Sequence, residues 1–164
     1  MSMVGLFWIT QESVHLGGPP DSLGRAVLIS DMGLEAIGEK QRGTWAWADV
    51  HQVPLLDVPV RSAVRRGLST AWTLTQTAAF GGIEEAPAMT VGVETAGDIT
   101  ELTVSTSAAG GYGQDEFDLS QALLDRFAEG SARPSSLTRW ARTHAGGTPP
   151  RAAREELLRQ WAKG

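Results

Sequence analysis

The fold is indicated first by residues 25–60, which read RAVLISDMGLEAIGEKQRGTWAWADVHQVPLLDVPV. Two segments, 25–30 and 34–38, alternate between two faces with a period of two and flank a tight reversal at 31–33. This alternation is typical of β-strands. Gly33 can adopt the positive φ that a tight hairpin turn requires. The stretch therefore predicts a β-hairpin at the start of an antiparallel meander.

Short apolar runs predict further strands along the chain. After the hairpin the pattern continues over 44–50 and 52–58, and Pro54 favours an edge position or a bulge in the second of these. The other predicted strands are 4–10, 13–16, 89–94 and 99–105. Together they predict an antiparallel barrel or sandwich of about seven strands.

One helix is well marked at 118–129. Asp118 suits the N-cap, and Gln121 follows three residues later, which is the spacing of a capping box. Gly130 suits the end of the helix. The predicted apolar stripe consists of Leu119, Leu123, Leu124, Phe127 and Ala128. Burial of this stripe predicts a helix that caps one mouth of the barrel.

Helical periodicity also occurs at 61–79, 136–143 and 151–162. The first segment lies between predicted strands and forms an insertion at about 61–82, whereas the other two follow the capping helix. We therefore expect a strand-rich domain over 1–130, which contains the insertion, and a C-terminal helical tail over 131–164. The expected fold class is α+β.

Composition restricts the function classes. The 164 residues include no cysteine, which excludes disulfides and thiolate metal sites. The formal net charge is -5, so nucleic acid is not an expected partner. The first residues lack a basic n-region and reach Glu12 early, so we expect no signal peptide and a cytoplasmic location. The absence of Asn and the scarcity of Lys, beside many Ala and Arg, are typical of a GC-rich bacterial genome such as that of an actinobacterium.

The order of strands followed by a capping helix resembles the pleckstrin-homology-like superfamily, including its GRAM domains. The stretches that carry the resemblance are LISDMGLEAIG at 28–38, TWAWADVHQVPLLDV at 44–58, MTVGVETAGDITELTV at 89–104 and FDLSQALLDRFAEG at 117–130. The chain departs from the family at the insertion and at the tail. The resemblance implies a PH-like barrel that binds a lipid head group, a peptide or a protein rather than catalysing a reaction.

Catalytic and metal sites are not predicted. The histidines of the chain are His15, His51 and His144. His15 and His51 could meet across strands near Asp49 or Asp57, but HExxH and spaced His pairs are missing, and isolated surface histidines are favoured. The GxSxG motif of a serine nucleophile is also missing. We therefore expect no catalytic residue and no cofactor.

An acidic group and a glycine-rich stretch have structural explanations. Asp115, Glu116 and Asp118 lack the alternating spacing of a calcium loop and can place negative charge at the N-terminus of the following helix. Residues 110–113 (GGYG) do not form GxGxxG and lack a following Lys-Ser/Thr. Neither stretch predicts a metal or phosphate site.

The predicted insertion contains a first group of candidate contact residues. Arg61, Arg65 and Arg66 precede Trp72, as in a helix that docks on a partner or a membrane surface. Packing of Trp72 on the barrel with solvated arginines is favoured, because three basic residues are few in an acidic chain. The phosphoinositide-binding members of the resembled family use several Lys and Arg around the first hairpin, whereas residues 10–13 (TQES) contain none. Head-group binding of that kind is not expected.

The tail contains a second group of candidate contact residues. Its short helices cannot bury all of their large side chains alone, and these are Trp140, Leu157, Leu158 and Trp161. They must pack on the barrel, on each other or on another chain. We therefore predict a non-catalytic protein-interaction or adaptor module whose partner is another protein or a second copy of the chain. The alternative is a small-molecule or lipid-binding barrel with a pocket lined by Trp8, Trp45 or Trp47, and contact with a membrane surface is not favoured.

Overall fold

The computed structural model describes residues 2–58, 88–106, 112–144 and 146–163. The predicted insertion at 61–82, with Arg61, Arg65, Arg66 and Trp72, lies outside the described residues. The strands are β1 (Ser2–Val4), β2 (Phe7–Ile9), β3 (Val14–Leu16), β4 (Ala26–Ile29), β5 (Gly33–Ile37), β6 (Gly43–Ala46), β7 (Leu55–Leu56), β8 (Ala88–Thr95) and β9 (Asp98–Ser105). A 3-10 turn spans Trp47–Asp49, and the helices are α1 (Gln114–Glu129), α2 (Ser135–Thr143) and α3 (Arg151–Lys163). The predicted α+β class is confirmed.

The first six strands form one antiparallel sheet in chain order. The predicted hairpin lies within it as β4 and β5, with Leu28 opposite Glu35. Across the turn, Ser30 and Gly33 exchange backbone hydrogen bonds of 2.9 and 3.2 Å. Gly33 has a φ of +153°, and a Cβ at this position would clash with the carbonyl oxygen of Trp45 on β6. Glycine is required here because the neighbouring strand passes so close to the backbone.

The strand predicted over 4–10 is interrupted at Gly5. This residue takes a φ of +59° and turns the chain between β1 and β2, which pair with Met3 opposite Trp8. The prediction of one continuous strand is wrong at this point. The turn allows both short strands to bury apolar side chains, including Val4 and Phe7.

The meander does not continue beyond β6. The 3-10 turn leads the chain away to β7, which pairs with β8 in a separate three-stranded sheet of order β7-β8-β9. The indole nitrogen of Trp47 holds this turn by donating to the carbonyl oxygen of Ser30 at 2.7 Å. The strand predicted over 44–50 therefore ends at Ala46. Of the strand predicted over 52–58, only β7 is a strand in the structure.

The two sheets meet along β9, and within the described residues they do not close into a barrel. The side-chain amide of Gln41 accepts from the Thr103 N–H and donates to the Thr103 carbonyl oxygen, both at 2.9 Å. Nearby, the Gly18 N–H donates to the carbonyl oxygen of Ser105 at 2.7 Å. Nine strands are described, against about seven predicted. The coarser prediction of an antiparallel β structure with C-terminal helices is confirmed.

The predicted capping helix forms as α1 and buries its stripe against the sheets. Leu123, Leu124 and Phe127 are fully buried, and the Phe127 ring packs edge-on against Phe7 with 6.1 Å between ring centroids. Each buried large side chain contributes roughly 1.5–3 kcal/mol, which is enough to fix the helix in place. Gly130 ends the helix with a φ of +80°, as predicted.

The start of α1 differs from the prediction. The helix begins at Gln114, one turn earlier than expected, and Gly113 is its N-cap. Asp118 lies inside the helix and accepts a hydrogen bond from Gln114 Nε2 at 2.9 Å. Gln121 instead donates to the carbonyl oxygen of Val53 at 3.1 Å. The capping-box prediction is wrong because helical geometry extends through Asp118.

The two tail helices form where the sequence predicts them and pack on the rest of the chain. The N-terminus of α2 is anchored to the β4–β5 turn, where the Ser135 N–H donates to Asp31 Oδ1 at 2.9 Å. Helix α3 packs against α1 and β1. Leu137 of α2 and Leu158 of α3 are fully buried in the same hydrophobic core as the sheets. No helix of the described residues is long and apolar enough to cross a membrane.

Candidate interaction site

The tail tryptophans form an aromatic group that we call the Trp140 cluster (Trp140, His144 and Trp161). Trp140 stacks on His144 with centroids 4.5 Å apart and planes at 18°, and it meets Trp161 edge-on at 5.7 Å and 75°. All three side chains are half-buried, and both tryptophans pack against the core. The structure therefore places these tryptophans on each other and on the folded chain.

The two leucines predicted for the same surface differ in burial. Leu158 is 0% exposed and lies against the β1–β2 turn, where a Cβ added to Gly5 would approach Leu158 Cδ1 to 3.0 Å. Leu157 is half-buried at the margin of the core. Leu158 is thus a core residue, and Trp140, Leu157 and Trp161 keep some surface for contact with another molecule.

A buried ion pair that sequence reasoning missed joins α1 to α3. Arg154 donates from Nε and Nη2 to the two carboxylate oxygens of Glu116, the second at 3.3 Å, and from Nη1 to the Pro149 carbonyl oxygen at 2.8 Å. The Arg154 and Glu116 side chains are only 12% and 4% exposed. Their pairing offsets the cost of removing both charges from water. No local sequence signal links these positions, and the pair holds the tail on the capping helix.

The histidines take separate roles. His15 on β3 lies between Trp8 and Leu28 of the neighbouring strands, and burial lowers the pKa of its imidazole below the ordinary value of 6.5. His51 is exposed in the segment between the 3-10 turn and β7, and its backbone N–H donates to the Glu94 carbonyl oxygen at 2.8 Å. The described residues contain no group of three or more His, Asp or Glu side chains that could hold a metal ion.

An open cavity of about 700 Å³ lies beside the β5–β6 turn. It is lined by Leu23, Gly24, Ile37, Gly38 and residues 39–42. A neighbouring cavity of about 490 Å³ shares Leu23, Glu39, Lys40 and Gln41 and extends to β9. Neither cavity is lined by Trp8, Trp45 or Trp47, the residues that the alternative function would use.

Strand β6 is an edge of the six-stranded sheet, with no strand on its outer side in the part of the chain that the structure describes. Gly33 directs its backbone hydrogen bonds to Ser30 across the β4–β5 turn, so the next residue of β5 directs its own bonds to Trp45 of β6. By the same alternation, the N–H and C=O of Thr44 and the N–H of Ala46 point away from the sheet. No hydrogen bond to these outward groups is found among the described residues. As far as residues 2–58, 88–106, 112–144 and 146–163 are concerned, they are available to a further strand.

Apolar side chains flank this edge. Met32, at the tip of the β4–β5 turn, is 84% exposed, and Trp45 and Trp47 are half-buried. Trp47 is held in place by Phe127 of α1, with 6.0 Å between ring centroids. We call this region the β6 surface, and it consists of Met32, Thr44, Trp45, Ala46 and Trp47. The sequence signal for it is weak: residues 43–46 (GTWA) lack the Pro, Lys or inward charge that commonly protects an edge strand.

Comparison with protein-family models, curated proteins and solved structures finds no match for this chain. The resemblance to the pleckstrin-homology-like superfamily therefore stays a prediction. The geometry of the chain itself is the basis for the function proposed below.

Proposed function

We propose that this chain is a non-catalytic protein-interaction module and that its partner binds at the β6 surface. The observation that carries the proposal is the edge of β6, where backbone groups of Thr44 and Ala46 have no partner among the described residues and lie beside the exposed side chain of Met32. An extended segment of another chain can hydrogen-bond to such an edge while its side chains contact the flanking apolar residues. Unpaired edge groups and exposed apolar side chains are together typical of a binding surface.

The Trp140 cluster is a second candidate surface within the same proposal. Trp140, Leu157 and Trp161 are partly exposed, and Trp and Tyr side chains are enriched at protein interfaces. Because Trp140 and Trp161 pack on each other, less of their surface is exposed than the sequence predicted. The β6 surface is favoured because it offers hydrogen-bonding groups as well as apolar area.

We also propose that the chain is a member of the pleckstrin-homology-like superfamily with a cytoplasmic location in a bacterial cell. Two antiparallel sheets followed by a capping helix support the family hypothesis. The cysteine-free composition, rich in Ala and Arg, supports the location and the source. In such a fold the sheets and α1 supply a rigid body, and the edge of the sheet recognises the partner.

The variant Ala46→Pro tests the site. Ala46 has a φ of -71°, which proline also adopts, and its N–H makes no bond to β5. Proline therefore removes an outward donor and blocks strand addition without breaking a native hydrogen bond. Ala46→Ser is the matched control because it keeps the N–H.

The assay is the selection of extended peptides on the wild-type chain, followed by amide hydrogen exchange. We expect the selected peptides to protect the Thr44 and Ala46 amides, to bind Ala46→Ser, and to lose affinity for Ala46→Pro. Peptides that bind both variants equally, or that protect other amides only, would contradict the proposed function.

A further inference from the structure

We infer that the partner at the β6 surface is a second copy of this chain, with the two β6 strands paired antiparallel about a two-fold axis at Thr44. This inference rests on the proposed function, because it names the partner of the same surface. A symmetric dimer of this kind joins the two six-stranded sheets into one continuous sheet.

The proposed register pairs the outward backbone groups of β6 with one another. With Thr44 opposite Thr44, each copy donates its Thr44 N–H to the Thr44 carbonyl oxygen of the other. The Ala46 N–H of each copy then donates to the Arg42 carbonyl oxygen of the other. The Ala46 carbonyl begins the 3-10 turn, so it takes no further bond from the Arg42 N–H that faces it, and each copy gives one hydrogen bond at this end of the strand. The chosen register uses the groups for which the described residues provide no partner.

The side chains suit this register. Thr44 opposite Thr44 is a favourable cross-strand pair. Trp45 lies opposite Gly43 of the other copy, so the two Trp45 rings become diagonal neighbours on one face, within contact distance. In the single chain, the Trp45 ring already covers Gly43, where an added Cβ would lie 2.5 Å from Cη2. Within β6 no two like charges lie directly opposite each other, because Arg42 faces Ala46.

Charges at the two ends of β6 complement each other. Antiparallel pairing brings the turn before β6 in one copy next to the turn after β6 in the other. The first turn carries Lys40 and Arg42 beside Glu39, and the second carries Asp49. Lys40, Arg42 and Asp49 are exposed and form no ion pair among the described residues. A 3-10 turn rises about 2 Å per residue, so Asp49 lies about 6 Å beyond Ala46, within reach of the Arg42 guanidinium of the other copy.

Two other described sheet edges, at β1 and β9, suit self-association less well. At the edge of β1, the Met3 N–H donates to Thr148 Oγ1 at 3.1 Å. At the edge of β9, Gln41 occupies both backbone groups of Thr103. The remainder of β9 carries Asp98 and Glu101, and the same acidic residues of a second copy would repel them. The β6 edge is free of this repulsion, and no described residue covers it.

Sedimentation equilibrium from micromolar to millimolar concentration tests the inference. We expect the wild-type chain and Ala46→Ser to dimerise. Ala46→Pro should weaken the dimer about 30-fold, because two symmetry-related hydrogen bonds are lost. Its far-UV circular dichroism and its Tm should match those of the wild type.

Charge reversal provides an independent test that changes only exposed side chains. Arg42→Glu alone and Asp49→Lys alone should each weaken the dimer, and both changes in one chain should restore it. Restoration would identify the register, since the two residues approach each other only across the proposed interface. If Ala46→Pro lowers the Tm, the two charge reversals decide whether the dimer forms as proposed.

The inference is overturned if the wild-type chain stays monomeric over the whole range, or if the Ala46→Pro dimer is as tight as the wild-type dimer. It is also overturned if the double charge reversal fails to restore association. These results leave the proposed function standing as long as extended peptides still protect the Thr44 and Ala46 amides. Without such peptides and without a dimer, the proposed function is refuted as well.

Discussion

Replacing Leu158 by Ala tests whether the tail helices belong to the core. Leu158 is 0% exposed on α3 and lies against Gly5 in the β1–β2 turn. The change removes carbon atoms equivalent to about three methylene groups, at about 0.8 kcal/mol each. The vacated space lies between a helix and a tight turn that cannot easily collapse, which adds a cavity term. We expect the free energy of unfolding to fall by about 3–4 kcal/mol.

Urea unfolding, followed by far-UV circular dichroism and by tryptophan fluorescence, measures this loss. Both signals should change in one coincident transition, because α3 shares the core of the sheets. Leu157→Ala is the matched control: it removes the same atoms from the neighbouring, half-buried position. The control should lower the free energy of unfolding by about 1 kcal/mol.

Two results would refute the reasoning. One is an equal loss for Leu158→Ala and Leu157→Ala, which would mean that burial at position 158 contributes nothing beyond that at 157. The other is a separate early transition of the wild-type tail, which would mean that α3 is not held by the core.

Three further perturbations test other contacts of the fold. Arg154→Met leaves the Glu116 carboxylate buried and unpaired, so urea unfolding should show that the free energy of unfolding falls by about 3–5 kcal/mol. Adding Glu116→Leu should recover most of this loss, and no recovery would contradict the role given to the ion pair. Gly5→Ala would place a Cβ against Ser120 Oγ, whereas at Gly97, also at positive φ, nothing lies within 4 Å. The Gly5→Ala variant should therefore be less stable than the Gly97→Ala variant by about 1–3 kcal/mol. Equal Tm values for the two variants would exclude the clash. Burial lowers the pKa of His15, so as the pH falls the unfolded chain takes up a proton on this side chain before the folded chain does. The free energy of unfolding should therefore be highest above pH 6.5 and should fall as the pH drops from 6.5 through the folded-state pKa. His15→Gln should lose less free energy of unfolding than the wild type between about pH 7.5 and about pH 5, and equal losses would contradict this.

Local patterns predicted the elements whose partners are close in sequence. The β4–β5 hairpin follows from the alternation on either side of Gly33, since its two strands are joined by a short turn. The stripe of α1 was visible because Leu123, Leu124 and Phe127 recur at helical spacing. Both tail helices were predicted to within a residue or two for the same reason.

Predictions failed where a distant contact decided the local backbone. Residues 44–50 alternate as a strand should, yet the chain leaves the sheet after Ala46 because Trp47 bonds to Ser30 and packs on Phe127. Asp118 looked like a helix cap, but the helix continues one further turn towards its N-terminus.

The candidate site likewise includes residues that the local sequence predicted and residues that it did not. The sequence singled out Trp140 and Trp161 because short helices cannot bury such rings alone, and the structure pairs the two rings. The β6 surface was not predicted, because an edge strand and an internal strand can have the same alternation. Which strand lies at the edge depends on what the chain does afterwards, and here it turns away at Trp47.

The amino-acid sequence by itself determined the α+β class, the central hairpin, the capping helix and the positions of the tail helices. These features depend on periodicity and on glycine placement, which act over a few residues. Only the tertiary structure decided that Leu158 is a core residue, that Glu116 pairs with Arg154, and that β6 is the edge strand of the described six-stranded sheet. Those outcomes depend on contacts between residues far apart in the chain, and such contacts form only when the sheets and helices pack together.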